Sequence, residues 1–166
     1  NTDSAFLKKE LLPAYQSSIR IPKPFSMSGW TGIFRAHNEI HRVAHTVIFP
    51  EDYQKEFSDI FDRNIPPQHP TVYLCAQSTC HNRKGWNDSQ PVFAMINTPP
   101  EPENTSSNPQ VWNDVQERVG TILKTRKWKL EQDRFLWTRT PTELAHLYPG
   151  SRGAIYGASS NNRFAA

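Results

Sequence analysis

Three histidines, His37, His41 and His45, recur every four residues. On a helix that spacing would put three imidazoles on one face, where they could hold zinc. The surrounding residues read otherwise. Val43 to Phe49 is rich in β-branched and apolar residues and reads as a strand, so the three rings scatter. The order His37-Asn38-Glu39-Ile40-His41 also lacks the Glu that a metalloprotease helix carries directly after its first His. No metal site is expected. Cys75 and Cys80 have no second pair, and Cys75 lies in an apolar run, so it reads as a small core residue. His81 beside Cys80 does not complete a ligand set. Neither G-x-G-x-x-G nor G-x-x-x-x-G-K occurs, and G-x-S-x-G is missing too. Residues 1–166 therefore show neither a phosphate loop nor a serine nucleophile, and no catalytic residue is assigned.

Two further stretches have unusual chemistry. Lys124 to Lys129 (KTRKWK) sets cations around Trp128. Basic residues at a helix C-terminus complement its dipole. The same residues could instead touch an anionic surface, which makes Lys127, Trp128 and Lys129 candidates for membrane contact. Farther on, Gly150, Gly153 and Gly157 surround Tyr156. Glycines so placed let the backbone turn sharply or approach a ligand closely.

The elements that must position these residues follow from periodicity and punctuation. Fourteen prolines against seven glycines break the chain often. Phe6 to Leu12 reads as a short helix ended by Pro13. Strands are expected over Trp30 to Ala36, Val43 to Phe49, Thr71 to Gln77 and Pro91 to Asn97. A helix beginning near Pro50 would gather Tyr53, Phe57, Ile60 and Phe61 on one face. A second helix takes Asn108 as N-cap and Pro109 at its first position, with Val111, Trp112, Val115, Val119, Ile122 and Leu123 as its apolar stripe. A third opens on the capping box Thr140 to Glu143 and ends near Gly150. Thr98 to Ser107 reads as an exposed loop. Further strands fall between the last two helices and after Gly150. Strands that follow one another directly pair antiparallel, so the expected class is α+β, a mostly antiparallel sheet with helices on one face.

Composition sets the outer limits. With 36% hydrophobic and 21% charged residues over 166 positions, the chain is globular and large enough for one core. The longest apolar runs are strand-sized, well below the ~18 residues that span a bilayer. Two cysteines are too few for a disulfide scaffold and favour a reducing compartment. The net charge of +3 is mild, and both signs mix along the chain. On residues alone, a stand-alone module touching anionic lipid or nucleic acid through the basic Trp128 segment is a competing reading.

Several ordered motifs together resemble a family. Thr140-Pro141, Glu143-Leu144 and the run Tyr148 to Gly157 (YPGSRGAIYG) are similar to the late segment of bacterial carotenoid desaturases, phytoene-dehydrogenase-like flavoproteins of the FAD amine oxidase superfamily. Val43 to Phe49 resembles the family's L-A-H-H strand, with Thr46 where a second His is common, so only His45 transfers. Asp52-Tyr53, Glu56-Phe57 and Ile60-Phe61 resemble the helix after it. Pro70 to Ser78 resembles its P-T-[IV]-Y-[VL]-C-A-Q strand, and Asn1-Thr2-Asp3 the point where such chains leave the flavin domain. Residues 82–129 agree in pattern more than in residues.

The resemblance implies one substrate-domain fragment over 1–166, with FAD held by segments on both sides and the two chain ends close together. It implies hydride removal from a polyene to flavin, forming a C=C bond, in a longer, cytoplasmic, peripherally membrane-associated protein; the fragment alone would bind no FAD and be inactive. A carotenoid or related polyene is the expected partner and nucleic acid is not. A polyene offers nothing to hydrogen-bond, so the wall around it should be apolar. Phe34, His45, Ile48, Tyr73, Phe93 and Met95 are the wall candidates. Tyr156 and Gly157 would lie nearest the flavin.

Overall fold

A computed structural model describes residues 11, 26–37, 43–77, 84–86, 88–102 and 106–156. Five strands form one antiparallel sheet: β1 (Ser28–His37), β2 (His45–Ile48), β3 (Val72–Ala76), β4 (Ser89–Thr98) and β5 (Trp137–Arg139). Their spatial order is β2-β3-β4-β1-β5. The helices are α1 (Tyr53–Phe57), which runs into a π-helical turn at Ser58–Asp62, then α2 (Pro109–Thr125) and α3 (Pro141–Leu147). The class is α+β, as expected. The helix at Phe6 to Leu12 lies outside the described residues apart from Leu11, and so do both chain ends.

Register decides which side chains meet. Phe34 pairs with Val92, Leu74 with Ala94, Thr46 with Leu74, and Gly32 with Thr138. Even-numbered residues face even-numbered partners in all four strand pairs. Because side chains alternate along a strand, every even position points to one face of the sheet and every odd position to the other. The even face is the core. Trp30, Phe34, Ala36, Val72, Leu74, Ala76, Val92, Ala94 and Ile96 are buried there.

Helix α2 covers that face. The Asn108 side chain accepts from the Gln110 N–H at 3.0 Å, and Pro109 starts the first turn without needing a donor. Trp112, Val115, Val119 and Leu123 recur at helical spacing and are buried in the core. The helix ends in a Schellman turn. Lys127 takes φ +64, its N–H reaches the Lys124 carbonyl at 3.0 Å, and the Trp128 N–H reaches the Leu123 carbonyl at 2.9 Å. That turn points Trp128 inward beside Leu123.

Helix α1 departs from expectation. Its inward side carries Glu56, Asp59 and Ile60, all 1–2% exposed, while Tyr53 and Phe61 stand 48% and 41% exposed. Only Ile60 of the four expected apolar-face residues is buried. The carboxylates are held inside by specific partners. The Thr71 hydroxyl donates to Glu56 at 2.5 Å, and Lys55 and Arg63 donate to Asp59 at 3.2 and 2.8 Å. The displaced aromatics form an outer ladder from Phe49 through Tyr53 and Phe57 to Phe61, with neighbouring centroids 4.9–6.0 Å apart. Arg118 of α2 donates to the Pro67 carbonyl at 2.8 Å and pins the following loop to the core helix.

Helix α3 opens on the expected capping box: the Glu143 N–H donates to the Thr140 hydroxyl at 3.2 Å, and Glu143 accepts from the Thr140 N–H at 2.7 Å. It stops at Leu147, before Gly150. Residues 152–156 are not a strand; the rest of the strand expected after Gly150 lies outside the described residues.

Candidate functional site

The odd face of the sheet is the candidate site. Two rows of side chains cross it, set by strand register. One runs His45, Cys75, Phe93, Ile33, Trp137. The other runs Val47, Tyr73, Met95, Thr31, Arg139. At about 4.8 Å between strands each row spans roughly 19 Å. These residues are half-buried or exposed. They form a largely apolar surface that also carries His45 and Arg139 on the edge strands and Tyr73 and Thr31 on inner ones.

Three of the polar groups meet neighbours on the same face. His45 Nδ1 and the Tyr73 hydroxyl lie 2.7 Å apart, and the two rings stack with centroids 5.9 Å apart at 20°. Tyr73 also meets Phe93, centroids 6.5 Å apart at 66°. Burial pushes the Tyr73 phenol above its ordinary value, and neighbouring Cys75 adds to the rise. Tyr73 therefore stays an uncharged phenol at neutral pH. At the opposite edge the Arg139 guanidinium sits over the Trp137 ring, 5.1 Å from its centroid.

A buried network sets one border of this face. The Trp112 indole donates to the Thr142 hydroxyl at 2.8 Å, and that hydroxyl donates to the Glu101 carboxylate at 2.7 Å. Glu101 also accepts from the Ser107 N–H at 2.6 Å, while its own N–H donates to the Arg152 carbonyl at 3.0 Å. The Ser28 hydroxyl donates to the Gly153 carbonyl at 2.6 Å, and the Ile155 N–H to the Met27 carbonyl at 3.1 Å. Ile155 is thereby laid on the odd face. Its Cδ1 stands 3.1 Å from where a Cβ on Gly29 would be, next to Met95. Tyr156 follows at the rim, 69% exposed, its N–H donating to Ser26 at 3.1 Å.

The six wall candidates divide by face. His45, Tyr73, Phe93 and Met95 share the odd face. Phe34 does not: it is fully buried on the even face, edge-on to Trp128 and Phe135. Ile48 also faces away, opposite Val72, and lines a cleft with Ile122 and Thr125 of α2. Both have even numbers, and strand alternation excludes them from a wall built on Tyr73 and Phe93. Their odd neighbours Ile33 and Val47 take those places, together with Trp137, Arg139 and Ile155. Gly157 lies outside the described residues, and so do His41 and Cys80.

The basic segment needs a second correction. Trp128 is 2% exposed inside the core, so its indole can neither enter a membrane nor stack on a base. Lys127 and Lys129 remain exposed. The competing module built on Trp128 loses its aromatic platform.

The positive-φ glycines among the described residues are Gly85 and Gly153. A Cβ on Gly153 would stand 2.7 Å from the Pro141 carbonyl, so that backbone is packed against α3. Among the described residues no cluster of His, Cys, Asp or Glu could hold a metal ion, and no helix is long and apolar enough to cross a membrane.

No protein-family model matches the chain. Individual proteins do. Hydroxyneurosporene desaturase of Rubrivivax gelatinosus is 27% identical over 145 residues, covering 84% of this chain and 27% of that protein. The 1-hydroxycarotenoid 3,4-desaturase of Flavobacterium sp. (strain P99-3) is 28% identical over 74% of this chain and 25% of its own length. The chain is similar to carotenoid desaturases. The hydroxyneurosporene desaturase of Rhodobacter capsulatus extends the likeness to 99% of the chain, at 29% identity and 33% of that protein. This carotenoid-desaturase-like chain thus spans about a quarter to a third of the length of these relatives.

Proposed function

We propose that the chain is the substrate-binding part of a longer, FAD-dependent carotenoid desaturase and that its odd sheet face is one wall of the polyene site. The observation that carries this is the convergence of Tyr73, Phe93, Met95, Ile33 and Val47 on the face of the sheet opposite the core, in a chain similar to carotenoid desaturases along most of its length. Burying such side chains against an apolar ligand is worth about 25 cal/mol per Å² removed from water, and flat apolar rows suit an extended hydrocarbon better than a compact polar one.

The redox step, removal of a hydride and a proton from adjacent carbons to leave a C=C bond, belongs to a flavin held elsewhere in the polypeptide. This chain binds the polyene, aligns it across the strands and excludes water. Tyr156 at the rim is the described residue assigned to the flavin side, with Gly157 after it. The protein works in the cytoplasm at the membrane surface, where Lys127 and Lys129 supply cations for anionic headgroups. No role in nucleic-acid binding is assigned.

The test is expression of the full-length protein in carotenoid-producing cells. The expected result is a pigment lighter by one or more pairs of hydrogens, and a flavin spectrum from the purified protein. Unchanged pigment together with a flavin-free protein overturns the reading.

A further inference from the structure

A cleft of about 380 Å³ opens beside the edge strand β2, where α1 begins and α2 ends. Its floor is apolar, made by Ile48, Pro50, Pro70 and Ile122. Its two walls carry opposite charge. Glu51 and Asp52 stand on the α1 side, and Arg126 stands on the α2 side. Phe49 lines the same cleft and is 60% exposed. Tyr53, 48% exposed, meets Phe49 edge-on with ring centroids 5.7 Å apart. Aromatic side chains are enriched at protein interfaces relative to the rest of the surface. We propose that this cleft is a self-association surface, on which a second copy of the chain docks about a twofold axis running along the cleft.

The charges select the partner. Half a turn about that axis lays the acidic wall of each copy against the basic wall of the other, so Glu51 and Asp52 face the partner's Arg126 at two equivalent places. Such a contact needs one patch with opposite charge on either side of its axis, and the cleft is such a patch. An anionic bilayer would attract Arg126 but would set Glu51 and Asp52, beside the exposed aromatics, against like charge. A purely basic or purely acidic peptide would satisfy one wall and strand the other. The backbone of both walls is fixed. Asp52 accepts from the Lys55 N–H at 2.9 Å as the N-cap of α1, and the Arg126 N–H reaches the Ile122 and Leu123 carbonyls at 3.1 Å at the end of α2. A preformed patch costs less to order on docking.

The two kinds of contact divide the work. Closing the clefts over one another takes Phe49 and Tyr53 out of water and supplies affinity, while the charged walls fix orientation and suppress wrong partners. The contact lies on the α2 side of the sheet, because Ile48 and Ile122 pack against the core there. It leaves the odd face clear, and so it neither needs the polyene reading nor competes with it.

The test measures the oligomeric state of the full-length protein by sedimentation velocity, across protein concentration and salt. The wild type is expected to form a dimer that loosens as salt rises, since screening weakens the pairs between walls. Arg126→Glu sets acid against acid, and Glu51→Arg sets base against base. Each alone is expected to raise the dissociation constant by about tenfold or more. Mixed with each other, the two variants regain opposite charges at both contacts and recover most of the association, which a misfolded variant could not do. Phe49→Ser weakens the dimer and leaves its salt dependence in place. A wild type that stays monomeric, a dimer indifferent to these substitutions, or a mixture no tighter than its two parts overturns the surface. A monomer whose amides at Glu51 to Tyr53 are protected from hydrogen exchange gives the cleft to another segment of the polypeptide and overturns it as well. None of these outcomes touches the polyene reading.

Discussion

Trp128 meets Phe34 edge-on, ring centroids 6.1 Å apart at 87°, on the side of the sheet opposite Tyr73. The contact joins the turn after α2 to the middle of β1. Deleting a fully buried indole leaves a cavity that the surrounding strands cannot close. Trp128→Ala is expected to lower stability by about 3–5 kcal/mol. Urea unfolding measures it. A loss below about 1 kcal/mol would mean that the indole is not part of the core.

Lys127 sits one residue earlier with φ +64, a conformation that a residue with a Cβ adopts at a cost. Lys127→Gly is expected to raise stability by about 1 kcal/mol, because glycine adopts this angle without strain at the closing position of a Schellman turn. Lys127→Val should lower it. The same denaturant series reads both, and a destabilising glycine would contradict the turn.

Glu56 links stability to pH. Its carboxyl is pushed above the ordinary value near 4.5 by burial, against the lowering effect of the Thr71 hydrogen bonds. The folded state therefore holds this proton more tightly than the unfolded state does. The contribution is fully present below the unfolded value and is lost as pH rises through the folded one. Asp59 has the opposite sign. Its own burial would raise it, but Lys55, the Gln68 backbone and Arg63 prevail and hold it below its ordinary value, so its contribution is lost as pH falls. Glu56→Gln is expected to stabilise the protein at pH 7 and to flatten the decline above about pH 4.5. Unfolding midpoints across that range check it, and an unchanged slope would remove Glu56 from the account.

Gly153 carries φ +78, and a Cβ there would stand 2.7 Å from the Pro141 carbonyl and 3.1 Å from the Ala145 nitrogen. Gly153→Ala is expected to cost about 2 kcal/mol or more, from strained dihedrals and a backbone clash together. It should also loosen Ile155 from Gly29, which faster amide exchange at Ile155 would report. A silent substitution would mean that the segment sits differently.

Local patterns were legible in the sequence and relations between segments were not. The Asn108 cap, Pro109, the α2 stripe and the Thr140–Glu143 box each depend on residues a turn apart, and each appears where expected. The strands were readable from β-branched runs. Their faces were not, because Phe34 and Tyr73 are equally good strand residues and only register tells which way each points. Helix α1 misled for a similar reason. Its aromatic spacing is that of a buried face, yet partners remote in sequence, such as Thr71, draw Glu56 inward instead. Trp128 misled because a cation-rich run reads as surface until a left-handed residue turns the indole in.

The agreement of odd with odd and even with even across all four strand pairs makes the two faces separately editable. Substitutions at Ile33, Val47, Phe93 and Met95 touch no side chain that holds α2, so they should combine additively with core changes. Deleting one residue within β4 would do the reverse. It would carry Phe93 and Met95 toward α2 and turn Val92 and Ala94 outward, exchanging the ligand wall for the core in a single step.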